Sequence, residues 1–166
     1  MVLILGDRYE TLISAFIMNF HNIPIAHISG GEVTEGSKDD SFRHAISKLS
    51  KFHFVSHKLY KKRLIQLGEE KKNIFNYGSL GKENIVSVKV LNKLAIQKKL
   101  KIKFNDINFL ATYHPETIDT KNNTKNFKIL IESLLNFKGA NIFITSPNAD
   151  YGSRAIFNYI NEIKKN

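Results

Sequence analysis

Val2-Leu3-Ile4-Leu5-Gly6-Asp7-Arg8-Tyr9-Glu10 opens the chain with four apolar residues, a glycine, and an acid leading into a helical pattern. The run Val2 to Leu5 has the composition of a strand buried inside a parallel sheet. From Tyr9 to Phe20, Leu12, Ile13, Phe16, Ile17 and Phe20 recur with helical spacing. The unit then repeats. Pro24 precedes a strand at Ile25 to Ile28, and the loop from Gly30 to Gly36 is too rich in glycine to be helical. A helix capped by Asp39 or Asp40 shows an apolar face of Phe42, Ile46 and Leu49. Strand–helix alternation of this kind predicts an α/β fold with a parallel sheet, which gathers ligand-binding residues along the carboxyl ends of its strands.

Outward from there, Phe52 to Ser56 reads as a third strand, and His57 to Leu67 as a basic amphipathic helix stopped by Gly68. Asn73 to Tyr77 reads as a fourth strand closed by Gly78-Ser79-Leu80-Gly81. Lys82 to Asp106, rich in lysine, asparagine and leucine, is expected to form helical linkers. Ile107 to Thr112 restarts the strand pattern, and Pro115 prevents it from continuing. A helix over Asn126 to Phe137, a strand over Asn141 to Thr145 and a helix from Ser153 to Lys164 complete the chain. The expected organisation is two α/β halves, 1–81 and 82–166.

The 42% hydrophobic content of these 166 residues supports a real core, and 24% charge is ordinary for a globular protein. No apolar run reaches the roughly 20 residues that span a membrane, and the start lacks the basic flank of a signal peptide. Without cysteine there is neither a disulfide framework nor a thiolate metal site. The expectation is a soluble cytoplasmic protein. The formal charge of +10 admits a polyanionic partner. Its lysines are spread over polar helix faces, which favours solvation or an anionic small ligand over nucleic acid.

Three clusters carry candidate chemistry. Asp7 and Glu10 lie where the first strand enters its helix; helix capping explains Glu10, whereas Asp7 sits at the mouth of the sheet. Arg8 beside them suits a phosphate or a neighbouring acid. His27 ends the second strand next to Ser29-Gly30-Gly31-Glu32, where it either satisfies a backbone partner or faces a ligand, and the glycines allow close backbone approach. Asp39 and Arg43 are four apart, as are Asp40 and His44, so each pair shares one side of a helix. They are either surface ion pairs or a carboxylate oriented by an arginine. His114 stands at the mouth of the second half, and Asn148 lies in the turn Pro147-Asn148-Ala149-Asp150. There is no dinucleotide fingerprint and no P-loop, and the acids and histidines match no metal-ligand spacing.

Taken together, GDRYE, IPIAHISGGEVTEG, DDSFRHAISKLS, FHFVS, RLIQLGEE, TYHPET and SPNADYGSR, in order over nearly the whole chain, resemble the hydrolysing UDP-N-acetylglucosamine 2-epimerases. These include the enzymes that begin sialic, legionaminic and related nonulosonic acid synthesis. The resemblance implies a GT-B-like fold of two Rossmann-like domains with the active site between them. This chain is expected to supply the second part of one domain and the first part of the other, truncated at both ends. Family members begin with an upstream strand and a loop that helps hold the nucleotide, and continue into loops that grip UDP.

The implied reaction removes the C2 proton, expels UDP by breaking the anomeric C–O bond, and adds water to the resulting glycal with inversion at C2. It calls for a general base, a clamp on the departing phosphate and a positioned water, with no metal or redox cofactor. By resemblance, Asp7, Asp39 and Asp40 form the acid–base set, with His27 also in the catalytic group. Arg8, Gly30, Gly31, Glu32, Arg43, His114 and Asn148 bind substrate. Some relatives have an acid or histidine where this chain has Ser29, which leaves the division between acid and base open. The implied partner is a UDP-sugar, with a homo-oligomer or a complementing fragment besides. The rival readings are an inactive assembly module that pairs with another chain, and a basic nucleic-acid binder.

Overall fold

A computed structural model describes residues 1–118, 120–148 and 152–163. It divides into two compact units, residues 1–88 and 89–166. In the first unit, β1 (Val2–Leu5), β2 (Ile25–Ile28), β3 (Phe52–Val55) and β4 (Ile74–Asn76) form one parallel sheet in sequence order. Between them run α1 (Tyr9–Phe20), α2 (Asp39–Leu49) and α3 (Lys58–Gln66), and α4 (Leu80–Ser87) follows β4.

The strand order decides where the core lies. Parallel crossovers are right-handed, so connections that always step in the same direction place every helix on the same face. Accordingly, Ile4 and Ile25 pack with Ala15 of α1 and Ile46 of α2, while Val55 and Ile74 pack with Leu64 of α3. Each large aliphatic side chain buried this way contributes about 1.5–3 kcal/mol relative to exposure. The pleat turns Leu3, Leu5, Phe54 and Phe75 to the other face. There Leu3 and Leu5 are 62% and 60% exposed. Phe54, Phe75 and Tyr77 form a stacked ladder with ring centroids 5.4–6.1 Å apart.

Local chemistry moves several boundaries. The α2 helix starts after Lys38, and the Ser37 hydroxyl accepts the Asp39 N–H at 3.1 Å, so neither Asp39 nor Asp40 is the cap. Asp40 is drawn away by stronger partners described below. His57 caps α3 instead of opening it, its Nδ1 accepting from the Leu59 N–H at 3.2 Å. Leu80 and Gly81, expected to close β4, are the first turn of α4.

In the second unit, α5 (Lys93–Leu100) precedes β5 (Asn108–Ala111), α6 (Asn123–Leu135), β6 (Asn141–Ile144) and α7 (Ser153–Ile163). The strands pair in parallel, and Phe127 and Ile131 of α6 pack with Ile156 and Ile160 of α7. The α6 helix begins three residues before the expected Asn126 because Asn123 turns its side chain inward to bind the loop after β5. Among the described residues, no helix is long and apolar enough to cross a membrane.

Candidate active site

At the end of β1, Gly6 adopts φ +86°, where a β-carbon would meet only open space. Its N–H continues the ladder to the Ile28 carbonyl at 3.1 Å, and its own carbonyl turns toward His27. The His27 ring is fully buried. Its Nε2–H donates to Gly6 O at 2.8 Å, which leaves Nδ1 to accept from the Ser47 hydroxyl at 3.0 Å. Burial pushes the His27 pKa down to about 4, against the opposing pull of the Gly6 carbonyl. The imidazole is therefore neutral at physiological pH, and it ties the end of β1 to α2. Both of its nitrogens are occupied inside the protein, so it braces the site from beneath.

The turn held by His27 presents Asp7 to Arg43. The Arg43 guanidinium is 4% exposed and is shared three ways. Nη2 pairs with Asp7 Oδ2 and donates to Thr34 Oγ1 at 2.8 Å, while Nη1 donates to Asp40 Oδ1 at 3.1 Å. Asp40 Oδ1 also accepts the Thr34 N–H at 2.9 Å, and Asp40 Oδ2 lies 3.5 Å from His44 Nε2. Arg43 thus bonds to the acid three positions back and to one from another element, in place of the Asp39 expected at four. Two carboxylates meet one guanidinium at the carboxyl edge of the sheet, each about one quarter exposed. Asp39, half-buried, opens the first turn of α2.

The glycine loop serves the protein itself. A β-carbon on Gly31, at φ +76°, would lie 2.5 Å from the Tyr60 carbonyl oxygen. One on Gly30 would lie 2.9 Å from Ser47 Oγ and 3.0 Å from His27 Nδ1. These glycines, expected to admit a ligand, let the loop settle on α2 and α3. Arg63 donates to the Gly31 carbonyl at 3.2 Å, and Glu32 accepts from Ser56 Oγ at 3.1 Å. Arg8 is exposed and ion-paired to Glu10 at 3.3 Å; the Glu10 carboxyl is held below its ordinary pKa by its own backbone N–H first and by Arg8 second.

In the second unit His114 is exposed, followed by buried Pro115. Asn123 clamps this loop: its Nδ2 donates to Glu116 O at 2.8 Å and its Oδ1 accepts the Glu116 N–H at 3.0 Å. Asn148 is exposed beside an open groove of about 200 Å³ lined by Pro147, Ser153, Arg154 and Phe157. The rest of the motif, residues 149–151, lies outside the described residues. Thr34, Ser47 and Asn123 escape sequence reasoning because small polar residues carry no periodic signal. Only the tertiary fold shows which partners they meet.

Parallel strands alternating with covering helices define an α/β class with Rossmann-like units. The particular family follows from the whole chain, residues 1–166, which matches the family described as UDP-N-acetylglucosamine 2-epimerase. The chain belongs to that family. It is 48% identical, over its full length, to the GDP/UDP-N,N'-diacetylbacillosamine 2-epimerase (hydrolyzing) of Campylobacter jejuni. It is 35% identical over 97% of its length to the UDP-N,N'-diacetylbacillosamine 2-epimerase (hydrolyzing) of Legionella pneumophila. In each case it spans 42% of the relative. The fold is that of the UDP-GlcNAc 2-epimerase of Neisseria meningitidis, solved bound to UDP-GlcNAc, with TM-score 0.74 and 18% identity. That match covers 98% of this chain and 46% of the other, so the chain shares part of a GT-B-type fold.

Proposed function

We propose that this chain carries acid–base machinery of a hydrolysing nucleotide-sugar 2-epimerase, centred on Asp7, Asp40 and Arg43. The observation that supports it most is the buried Arg43, which holds carboxylates from two elements side by side at the carboxyl edge of the sheet. In the reaction, a carboxylate takes the C2 proton and the C–H electron pair forms the C1–C2 double bond. The C1–O bond breaks, and UDP leaves with its electron pair. Water then adds its hydroxyl to C1, and a proton returns to C2 on the opposite face. Two carboxylates with one compensating cation suit these paired proton transfers. Asp39 belongs to the same acid set, and His27 acts by holding the strand end. Arg8, Glu32, His114 and Asn148 contact substrate in this reading, and Gly30 and Gly31 shape the loop beside it.

The substrate proposed is a UDP-2,4-diacetamido sugar of the diacetylbacillosamine type, released as a free sugar for nonulosonic acid synthesis in the cytoplasm. The 48% and 35% identities to relatives named for that sugar support it over UDP-N-acetylglucosamine, for which a relative from Neisseria meningitidis stands at 31%. UDP release by the purified chain, offered each nucleotide sugar and checked for folding by circular dichroism, tests the reading. Turnover of the diacetamido substrate that is lost in Asp7→Asn is expected. A folded chain that releases no UDP from either sugar overturns it. That outcome favours the second reading, an assembly module for another chain, which the bare apolar face of the first sheet supports.

A further inference from the structure

The two oxygens of Asp40 are held differently. Oδ1 accepts two donors, the Thr34 N–H at 2.9 Å and Arg43 Nη1 at 3.1 Å. Oδ2 faces the imidazole of His44, one helical turn on, with Nε2 at 3.5 Å. That separation is an ion-pair contact, longer than a strong hydrogen bond, so Oδ2 is less engaged than Oδ1. The other ring nitrogen, His44 Nδ1, is buried without a hydrogen-bond partner. Among the described residues the ring's polar contact is with Asp40, and a proton on Nε2 is the tautomer that suits this contact. Arg43 on the same helix pairs with Asp40 and, across to the end of β1, with Asp7.

We infer that His44 is a positioning residue for Asp40, and that Asp40 takes and gives its proton through Oδ2. The inference rests on the acid–base reading of Asp7, Asp40 and Arg43 proposed above. The two donors on Oδ1 fix the carboxylate and weaken that oxygen as a base, and the His44 ring beside Oδ2 favours the rotamer that keeps Oδ1 on them. When the C2–H bond breaks, its proton goes to Oδ2 while the electron pair enters the C1–C2 bond and UDP departs. Sequence spacing places Asp40 and His44 on one helix face, and only the tertiary contacts of Oδ1 make Oδ2 the reactive oxygen.

Two variants and one spectrum test this. His44→Leu keeps bulk and removes the donor, whereas His44→Gln keeps an amide N–H near the Nε2 position. In the UDP-release assay, His44→Leu is expected to lower kcat by about 10–100-fold with KM within about twofold, and His44→Gln to recover most of the loss. Equal activity of His44→Leu and wild type, or a rise in KM alone, overturns the assignment. So does an equal fall in both variants accompanied by lost thermal stability. Histidine side-chain 15N NMR of the intact chain reads the same contact without turnover. A protonated Nε2 on His44 whose resonance moves in Asp40→Asn supports the positioning role, and a resonance indifferent to that change overturns it. If wild type releases no UDP, the proposed activity of the chain has failed and the spectrum alone decides the contact.

Discussion

Arg43 sets two carboxylates from different elements against one buried guanidinium, and removing it leaves them facing each other uncompensated. Breaking a fully buried pair costs about 3–5 kcal/mol, but Asp7 and Asp40 are each about one quarter exposed, so water screens part of it. Arg43→Met is expected to lower unfolding stability by about 2–3 kcal/mol in urea titrations, and Arg43→Lys by less, because a single ammonium replaces a fork. Glycine positions give a sharper contrast. Gly31→Ala meets both a positive φ and the Tyr60 carbonyl, so a loss of more than about 2 kcal/mol is expected. At Gly6 the φ is also positive but the space is open, so alanine there should cost only about 1–2 kcal/mol. Equal losses at both sites would mean that backbone conformation alone decides, without packing. Asp7, Asp40 and Arg43 stand out in the sequence by type and spacing. The glycines stand out too, but what they approach does not.

Among the elements, the helix α6 shows how one side chain fixes a loop. Asn123 is almost fully buried, and its amide satisfies both backbone groups of Glu116 across the turn after Pro115. Alanine there removes both bonds; because Glu116 is exposed and water can replace them in part, the expected cost is about 1 kcal/mol. Amide hydrogen exchange is the measurement: in Asn123→Ala the Glu116 N–H should lose protection, while amides in the middle of α6 keep theirs. If α6 loses protection along its whole length, Asn123 is needed to nucleate the helix and its role is not confined to the loop. The core of this helix was readable from spacing, since Phe127 and Ile131 lie on the apolar stripe. Its start was not. An asparagine can cap, turn or point outward, and only the neighbouring loop selects among these.

Across the molecule, the buried histidines link stability to pH. His27 is held neutral with its pKa lowered to about 4, while in the unfolded chain it titrates near 6.5. The unfolded state therefore binds the extra proton between those values. Stability is fully present above about pH 6.5 and is lost as pH falls toward 4, by up to about 3 kcal/mol. His53, its cross-strand neighbour on β3, is shifted in the same direction by burial, with Glu69 opposing, and adds to the loss of stability as pH falls below about 6.5. Urea unfolding of the wild type between pH 4 and pH 7 should show this slope, and His27→Gln should flatten it. The bare sheet face makes a second prediction at this scale. Leu5→Lys, on the exposed apolar side of β1, should reduce concentration-dependent light scattering while leaving the unfolding midpoint nearly unchanged.

The sequence by itself determined that the chain alternates strand and helix, that its sheets are parallel, and which family it belongs to. Hydrophobic period and motif order are local properties, and each segment keeps them wherever it packs. Only the tertiary structure decided that α1, α2 and α3 share one face of the sheet, because handedness acts on the order of strands in space. It also decided that His27 braces from beneath and that Arg43 reaches Asp7 from 36 residues away. Which groups a side chain meets across such a distance depends on strand register and loop packing, and neither is written in local spacing.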